Sequence, residues 1–157
     1  MSKQTEEKII NFIKKDLLTK EESLELIDSL YWADWDLINR EYQESIDDIF
    51  QHLSKEGLSN EEISLILKLY NNPNGAYVNE FANVIVNLYK KDKTKFIQSL
   101  NLEKEEAINL VYIFRTHYIK LDEDQELLDI INSGELSEEE IDTAEKFIKM
   151  YENICNT

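Results

Sequence analysis

Apolar residues recur along this chain at three- and four-residue spacing almost throughout, a period that predicts helices from one end to the other. Ile9, Ile10, Phe12, Ile13 and Leu17 form a first stripe. Leu24, Leu26, Ile27 and Leu30 form a second, in a helix starting at Thr19, and a turn is expected near Ala33. A third helix is expected to carry Leu37, Ile38, Tyr42, Ile46, Ile49, Phe50 and Leu53 as one continuous stripe, closed by Gly57 in the left-handed region. Ile63, Ile66, Leu67 and Tyr70 follow from Ser59. The run Asn71-Asn72-Pro73-Asn74-Gly75 is the sharpest break, because proline restricts its predecessor and Asn and Gly tolerate positive φ. Beyond it, helices are expected from about Ala76 (Tyr77, Phe81, Val84, Ile85, Leu88) and after Asp92 (Phe96, Ile97, Leu100). A longer one is expected from Leu102, burying Ile108, Val111 and Tyr112 with Tyr118 at its far end. Two more follow, from Asp122 or Asp124 (Leu127, Leu128, Ile130, Ile131) and from Ser137 (Ile141, Ala144, Ile148, Tyr151). The count is eight to nine helices in a single domain spanning residues 1–157.

Four of these helices open with a related signal: Leu18-Thr19-Lys20-Glu21-Glu22, Leu58-Ser59-Asn60-Glu61-Glu62, Leu102-Glu103-Lys104-Glu105-Glu106 and Leu136-Ser137-Glu138-Glu139-Glu140. A hydroxyl at the cap accepts a bond from a first-turn amide, and the Glu three residues on reaches back to the cap's own amide. The preceding leucine can staple onto Ile63 and Ile141 in the second and fourth copies. The first and third copies carry Ser23 and Ala107 at that position, and the third has Glu103 in place of the hydroxyl. The four leucines lie 40, 44 and 34 residues apart, in the range of helical-hairpin repeats. From Leu18 onward the chain weakly resembles HEAT-like α-solenoid proteins, which implies stacked antiparallel hairpins and a scaffold or binding surface without chemistry of its own. An irregular helical bundle fits the same periodicity.

Composition agrees with an all-α fold, since three glycines and one proline leave few places for β-turns. It also narrows the partners. With 33 acidic against 17 basic residues the net charge is -16, which repels nucleic acid and anionic membrane and favours a basic protein. No apolar run approaches the roughly 20 residues of a membrane span. The single cysteine, Cys155, has no partner for an internal disulfide. No leader-like run opens the sequence, so the expected location is cytoplasmic, or extracellular had a secretion signal been removed.

Candidate chemistry is sparse. His52 and His117 are the only histidines, with no H-E-x-x-H, and are expected on the surface. No G-x-S-x-G or glycine-rich phosphate loop is present. The Asn-Pro-Asn-Gly loop misaligns with a calcium-binding EF-hand loop: with Gly75 at the sixth position, Tyr70 and Phe81 fall where acidic ligands belong. The best enzymatic hint is Glu22-x-x-Glu25 followed by Glu44-x-x-Asp47. This is similar to the paired acidic motifs of all-α nucleotide pyrophosphatases of the MazG and dimeric dUTPase type, and the resemblance implies Glu22, Glu25, Glu44 and Asp47 as magnesium ligands. Against it, only Lys20, Arg40 and Lys55 lie near enough in sequence to meet phosphates.

Tyr31, Trp32, Trp35 and Tyr42 place both tryptophans within twelve residues, among Asp34, Asp36, Glu41 and Glu44. Aromatic side chains ringed by acids form an anchor for a basic partner, or fill the corner between two helices. The expected function is a non-catalytic interaction module that binds a basic protein through Tyr31, Trp32, Asp34, Trp35, Asp36 and Tyr42, with no cofactor or metal. The alternatives are an acidic inhibitor, such as an immunity protein or DNA mimic, and the magnesium-dependent pyrophosphatase.

Overall fold

The computed structural model describes residues 4–117 and 119–155. Among these residues the chain forms ten α-helices, three short 3-10 turns and no strand, so the fold is all-α. The helix count exceeds the expected eight to nine because the stripe from Leu37 to Leu53 is two helices. α3 (Trp35–Glu41) ends at Tyr42 (φ -135°, ψ 33°), a 3-10 turn spans Gln43–Ser45, and α4 (Ile46–Leu53) resumes. A 3-10 turn advances about three residues per turn, so the apolar positions still read as one stripe across it. No Gly or Pro marks the join.

The chain divides into two compact units, one up to Val84 and one from Ile85, with the boundary inside α6 (Val78–Lys91). In the first unit, α1 (Gln4–Ile13) and α5 (Asn60–Ile66) both pack on α2 (Lys20–Trp32). α2 buries Ser23, Leu26, Ile27 and Leu30, a strip at i, i+3, i+4 and i+7. The helix stops at Ala33, which is extended, and Asp34 restarts the chain by accepting the Leu37 amide at 3.1 Å. The Asp34 amide in turn donates to Glu6 Oε2 at 2.9 Å; Glu6 is 2% exposed, and its other oxygen has no partner among the described residues.

The break at residues 71–77 is held by its own carboxamides. Asn72, buried, donates to the carbonyls of Leu69 (3.0 Å) and Ala76 (2.7 Å) and accepts the Ala76 amide (3.1 Å), while Gly75 takes φ +68°. Asn74 Oδ1 accepts the Trp35 amide at 3.0 Å, docking the loop on the start of α3. Tyr77, at the mouth of α6, adopts φ +54°, a left-handed conformation that costs a non-glycine residue about 1–2 kcal/mol. Its ring offsets that cost by packing edge-on against Trp35 (5.3 Å) and Phe50 (5.6 Å), and its hydroxyl donates to Asn39.

In the second unit α7 (Lys93–Leu100), α8 (Ala107–Thr116) and α9 (Glu123–Asn132) pack on α10 (Glu138–Cys155). Its centre is aromatic: Tyr89 meets Phe96 at 5.2 Å and Phe114 at 5.1 Å, and Phe147 meets Phe114 at 5.5 Å. α8 therefore turns Ala107, Leu110, Val111 and Phe114 inward; Val111 is buried as expected, whereas Ile108 and Tyr112, expected beside it, are about half exposed. Tyr118 lies outside the described residues. No described helix is long and apolar enough to cross a membrane.

Candidate functional site

The capping signals show how local chemistry places the polar groups. Thr19, Ser59 and Ser137 each close a capping box: their hydroxyls accept the amides of Glu22, Glu62 and Glu140 at 3.1–3.2 Å, and those carboxylates take the cap amides at 2.8–3.0 Å. The third copy, with Glu103, makes no side-chain cap and enters α8 through a 3-10 turn at Lys104–Glu106. A carboxylate one methylene longer than Asp cannot reproduce the short reach of Ser or Thr.

Two of these boxes meet in the first unit. Ser23, at the staple position of the first copy, donates to Glu62 Oε2 at 2.5 Å and lies 2.8 Å from His52 Nε2, so α2, α4 and α5 are joined by one buried hydroxyl. The Ser23 proton is committed to Glu62, which leaves its oxygen to accept from His52 Nε2–H and assigns the neutral imidazole that tautomer. Burial and the nearby Lys55 ammonium hold the His52 imidazole below its usual value, Glu62 opposing them. Burial pushes the Glu62 carboxyl up, but hydrogen bonds from Ser23 and Ser59 outweigh it and leave it below the usual carboxylate range.

Although these are the residue types of a hydrolytic triad, the order is wrong for one. The carboxylate holds the serine instead of the histidine, the imidazole donates to the hydroxyl instead of accepting from it, and Ser23 is 2% exposed. The trio acts as a structural lock. His52, expected on the surface, is half-buried in it. The signal that could have exposed this was Ser23 itself, a polar residue at a staple position where an apolar one belongs.

The four carboxylates of the pyrophosphatase resemblance are not gathered. Glu22 is committed to the Thr19 amide and to Lys15, and Glu25 pairs with Lys8 at 3.0 Å. Glu44 is exposed on the 3-10 turn and Asp47 on the first turn of α4. Among the described residues no group of three or more His, Cys, Asp or Glu side chains is placed to hold a metal ion.

The aromatic quartet separates into inside and outside. Trp35 is fully buried; its Nε1–H donates to the Leu30 carbonyl at 3.2 Å and its ring packs edge-on to Tyr77 and Phe81. It presents no surface to a partner. Trp32, three residues earlier on the last turn of α2, is 66% exposed. Tyr31 and Tyr42 are half-buried, the Tyr31 ring standing edge-on to Trp32 at 4.9 Å with the Lys68 ammonium 5.7 Å from its centre. Asp34 and Asp36 are exposed, and Asp34 also caps α3.

On α2 the exposed residues Glu21, Glu25, Asp28 and Trp32 fall at i, i+4, i+7 and i+11. At about 100° per residue they share one face, an acidic stripe that ends in an unburied indole. Sequence reasoning singled out Trp32 and missed Glu21 and Asp28 as its neighbours, though the helical spacing alone would have grouped them. The chain matches no protein-family model, and no curated protein or solved structure shows significant similarity to it.

Proposed function

We propose that the chain is a non-catalytic interaction module that binds a basic protein segment along the exposed face of α2, with Trp32 as anchor. The observation that carries this reading is the 66% exposure of Trp32 at the end of the Glu21, Glu25, Asp28 stripe. Covering that indole would contribute about 2–3 kcal/mol from apolar area alone, enough to make it the dominant anchor of a modest interface. The carboxylates beside it supply steering and register for cationic side chains, and Asp36 extends the acidic field past the helix end. For the finer architecture we infer an irregular bundle within each unit. α1 and α5 share α2, and α7, α8 and α9 share α10, whereas stacked hairpins hand contacts only to the next pair.

The test is a comparative capture from the source cell with the wild-type chain and Trp32→Ala as bait, followed by measured binding of whatever is retained. A basic protein held by wild type, weakened about thirtyfold by Trp32→Ala, and associating more slowly as salt rises is the expected result. Equal retention by both baits, or an association rate indifferent to salt, would sink the proposal.

A further inference from the structure

The loop that leads into α6 carries the chain's only Asn-Gly pair, Asn74-Gly75. In an unconstrained chain this pair is chemically labile, because no side chain on the glycine shields its amide nitrogen from the neighbouring carboxamide. Both residues are exposed, and nothing lies within 4 Å of the space that a Gly75 side chain would fill. Neither packing nor lack of water protects the pair.

What protects it is the turn. The Gly75 amide donates to the Asn72 carbonyl at 2.9 Å, closing Asn72-Pro73-Asn74-Gly75, and neither Pro73 nor Asn74 takes a positive φ, so the turn is type I with Asn74 at its third position. That position holds ψ near 0°, whereas a five-membered ring through Cγ needs the Gly75 nitrogen to eclipse Cβ, about 120° away in ψ. Both reacting groups are also tethered: the Gly75 N–H to Asn72, and Asn74 Oδ1 to the Trp35 amide at 3.0 Å. Buried Asn72 holds the two ends of the loop through the carbonyls of Leu69 and Ala76. The ring cannot form until this geometry is lost.

We propose that Asn74 is a site of deamidation gated by opening of this loop, and that the reaction makes a transient opening permanent. The Gly75 nitrogen gives its proton to hydroxide and bonds to Asn74 Cγ; the Cγ–Nδ2 bond breaks and ammonia leaves, giving a succinimide. Water then adds at one ring carbonyl and the carbon–nitrogen bond there breaks. Addition at Cγ gives aspartate, and addition at the backbone carbonyl gives isoaspartate, whose main chain runs through the former side-chain methylene. Aspartate keeps an acceptor for the Trp35 amide and rebuilds the turn. Isoaspartate, one methylene longer in its main chain, does not, and it withdraws the turn that delivers Tyr77 at φ +54° to its place against Trp35 and Phe50. No residue of the α2 stripe takes part, so the site stands independently of the partner-binding reading.

The experiment incubates the full chain at mildly alkaline pH, folded in buffer and unfolded in urea, and follows deamidation at each asparagine by peptide mass spectrometry. In urea Asn74 should react faster than Asn132, whose successor is Ser133, and in the folded chain Asn74 should react about tenfold more slowly than in urea, or slower still. Asn72→Ala, shown to be folded by circular dichroism, should raise the folded-state rate at Asn74 several-fold and leave the rate in urea unchanged. After removal of urea and chromatographic separation, the aspartyl chain should regain the wild-type near-UV circular dichroism and the isoaspartyl chain should not. The proposal is overturned by equal rates at Asn74 in the folded and unfolded chains, by an Asn74 that does not react in urea, by a folded Asn72→Ala variant that reacts no faster than wild type, or by an isoaspartyl chain with the wild-type near-UV spectrum.

Discussion

The two compact units hold their helices together by different means. Up to Val84 the helices are cross-linked through polar groups: buried Glu6 takes the Asp34 amide, exposed Asn74 takes the Trp35 amide, and buried Ser23 ties His52 to Glu62. From Ile85 on, the centre is a run of rings, Tyr89, Phe96, Phe114 and Phe147, with polar links such as Tyr89 to Glu126 (2.8 Å) and Tyr151 to the Ile119 carbonyl (2.6 Å) around it. The difference matters because a buried hydrogen bond is directional and costly to orphan, while ring packing tolerates small shifts. Geometry is therefore specified more sharply in the first unit.

The largest effect should come from Trp35, the centre of the first unit's core. Trp35→Ala should cost about 3–5 kcal/mol in urea unfolding, as should Phe114→Ala in the second unit, because both leave a large void. A Trp35→Ala loss no larger than that of Trp32→Ala would refute its burial. Next comes the lock: Ser23→Ala leaves His52 Nε2–H and Glu62 Oε2 without their shared partner and should cost about 1–3 kcal/mol. A Ser23→Ala variant as stable as wild type would remove the contrast between the units.

Acid should weaken the same unit in two steps. His52 is depressed from its usual 6.5, so as pH falls below that value the unfolded chain takes up a proton that the folded chain refuses, and stability drops until the folded value is reached. Glu62 is depressed from 4.5, so the stability it contributes is full above that value and is lost as pH falls through its lower folded value. Stability measured against pH should decline first just below 6.5, and His52→Gln, which can still donate to Ser23, should flatten that first step while leaving the second. An unchanged first step in His52→Gln would assign it elsewhere.

Smaller effects test the caps. Ser59→Ala and Ser137→Ala should each cost about 1 kcal/mol by thermal melting, and Glu103→Ser, which supplies the missing hydroxyl of the third copy, should be neutral or gain a few tenths. Smallest of all should be Trp32→Ala, within about 0.5 kcal/mol of wild type, because an exposed side chain supports little of the fold.

Local chemistry was legible in the chain itself. Helical periodicity, the hydroxyl-and-glutamate starts at Thr19, Ser59 and Ser137, the turn near Ala33 and the left-handed conformation of Gly57 depend on residues within one or two turns of each other. Long-range partnership was not. Periodicity could not distinguish one helix from two across Gln43–Ser45, since a 3-10 turn preserves the stripe, nor choose between the two apolar faces of α8, which Phe96 and Phe147 decided from elsewhere in the chain. Trp32 and Trp35 differ by only three positions, yet one lies outside and the other at the core. The helix break at Ala33 turns the chain between them, and Tyr77 and Phe81, more than forty residues on, close over the second. His52 and Glu62 are likewise 29 and 39 residues from Ser23 along the chain. Only tertiary packing could bring them within hydrogen-bonding distance, because a side chain's capacity to bond is written in the sequence while its partner is chosen by which helices share a core.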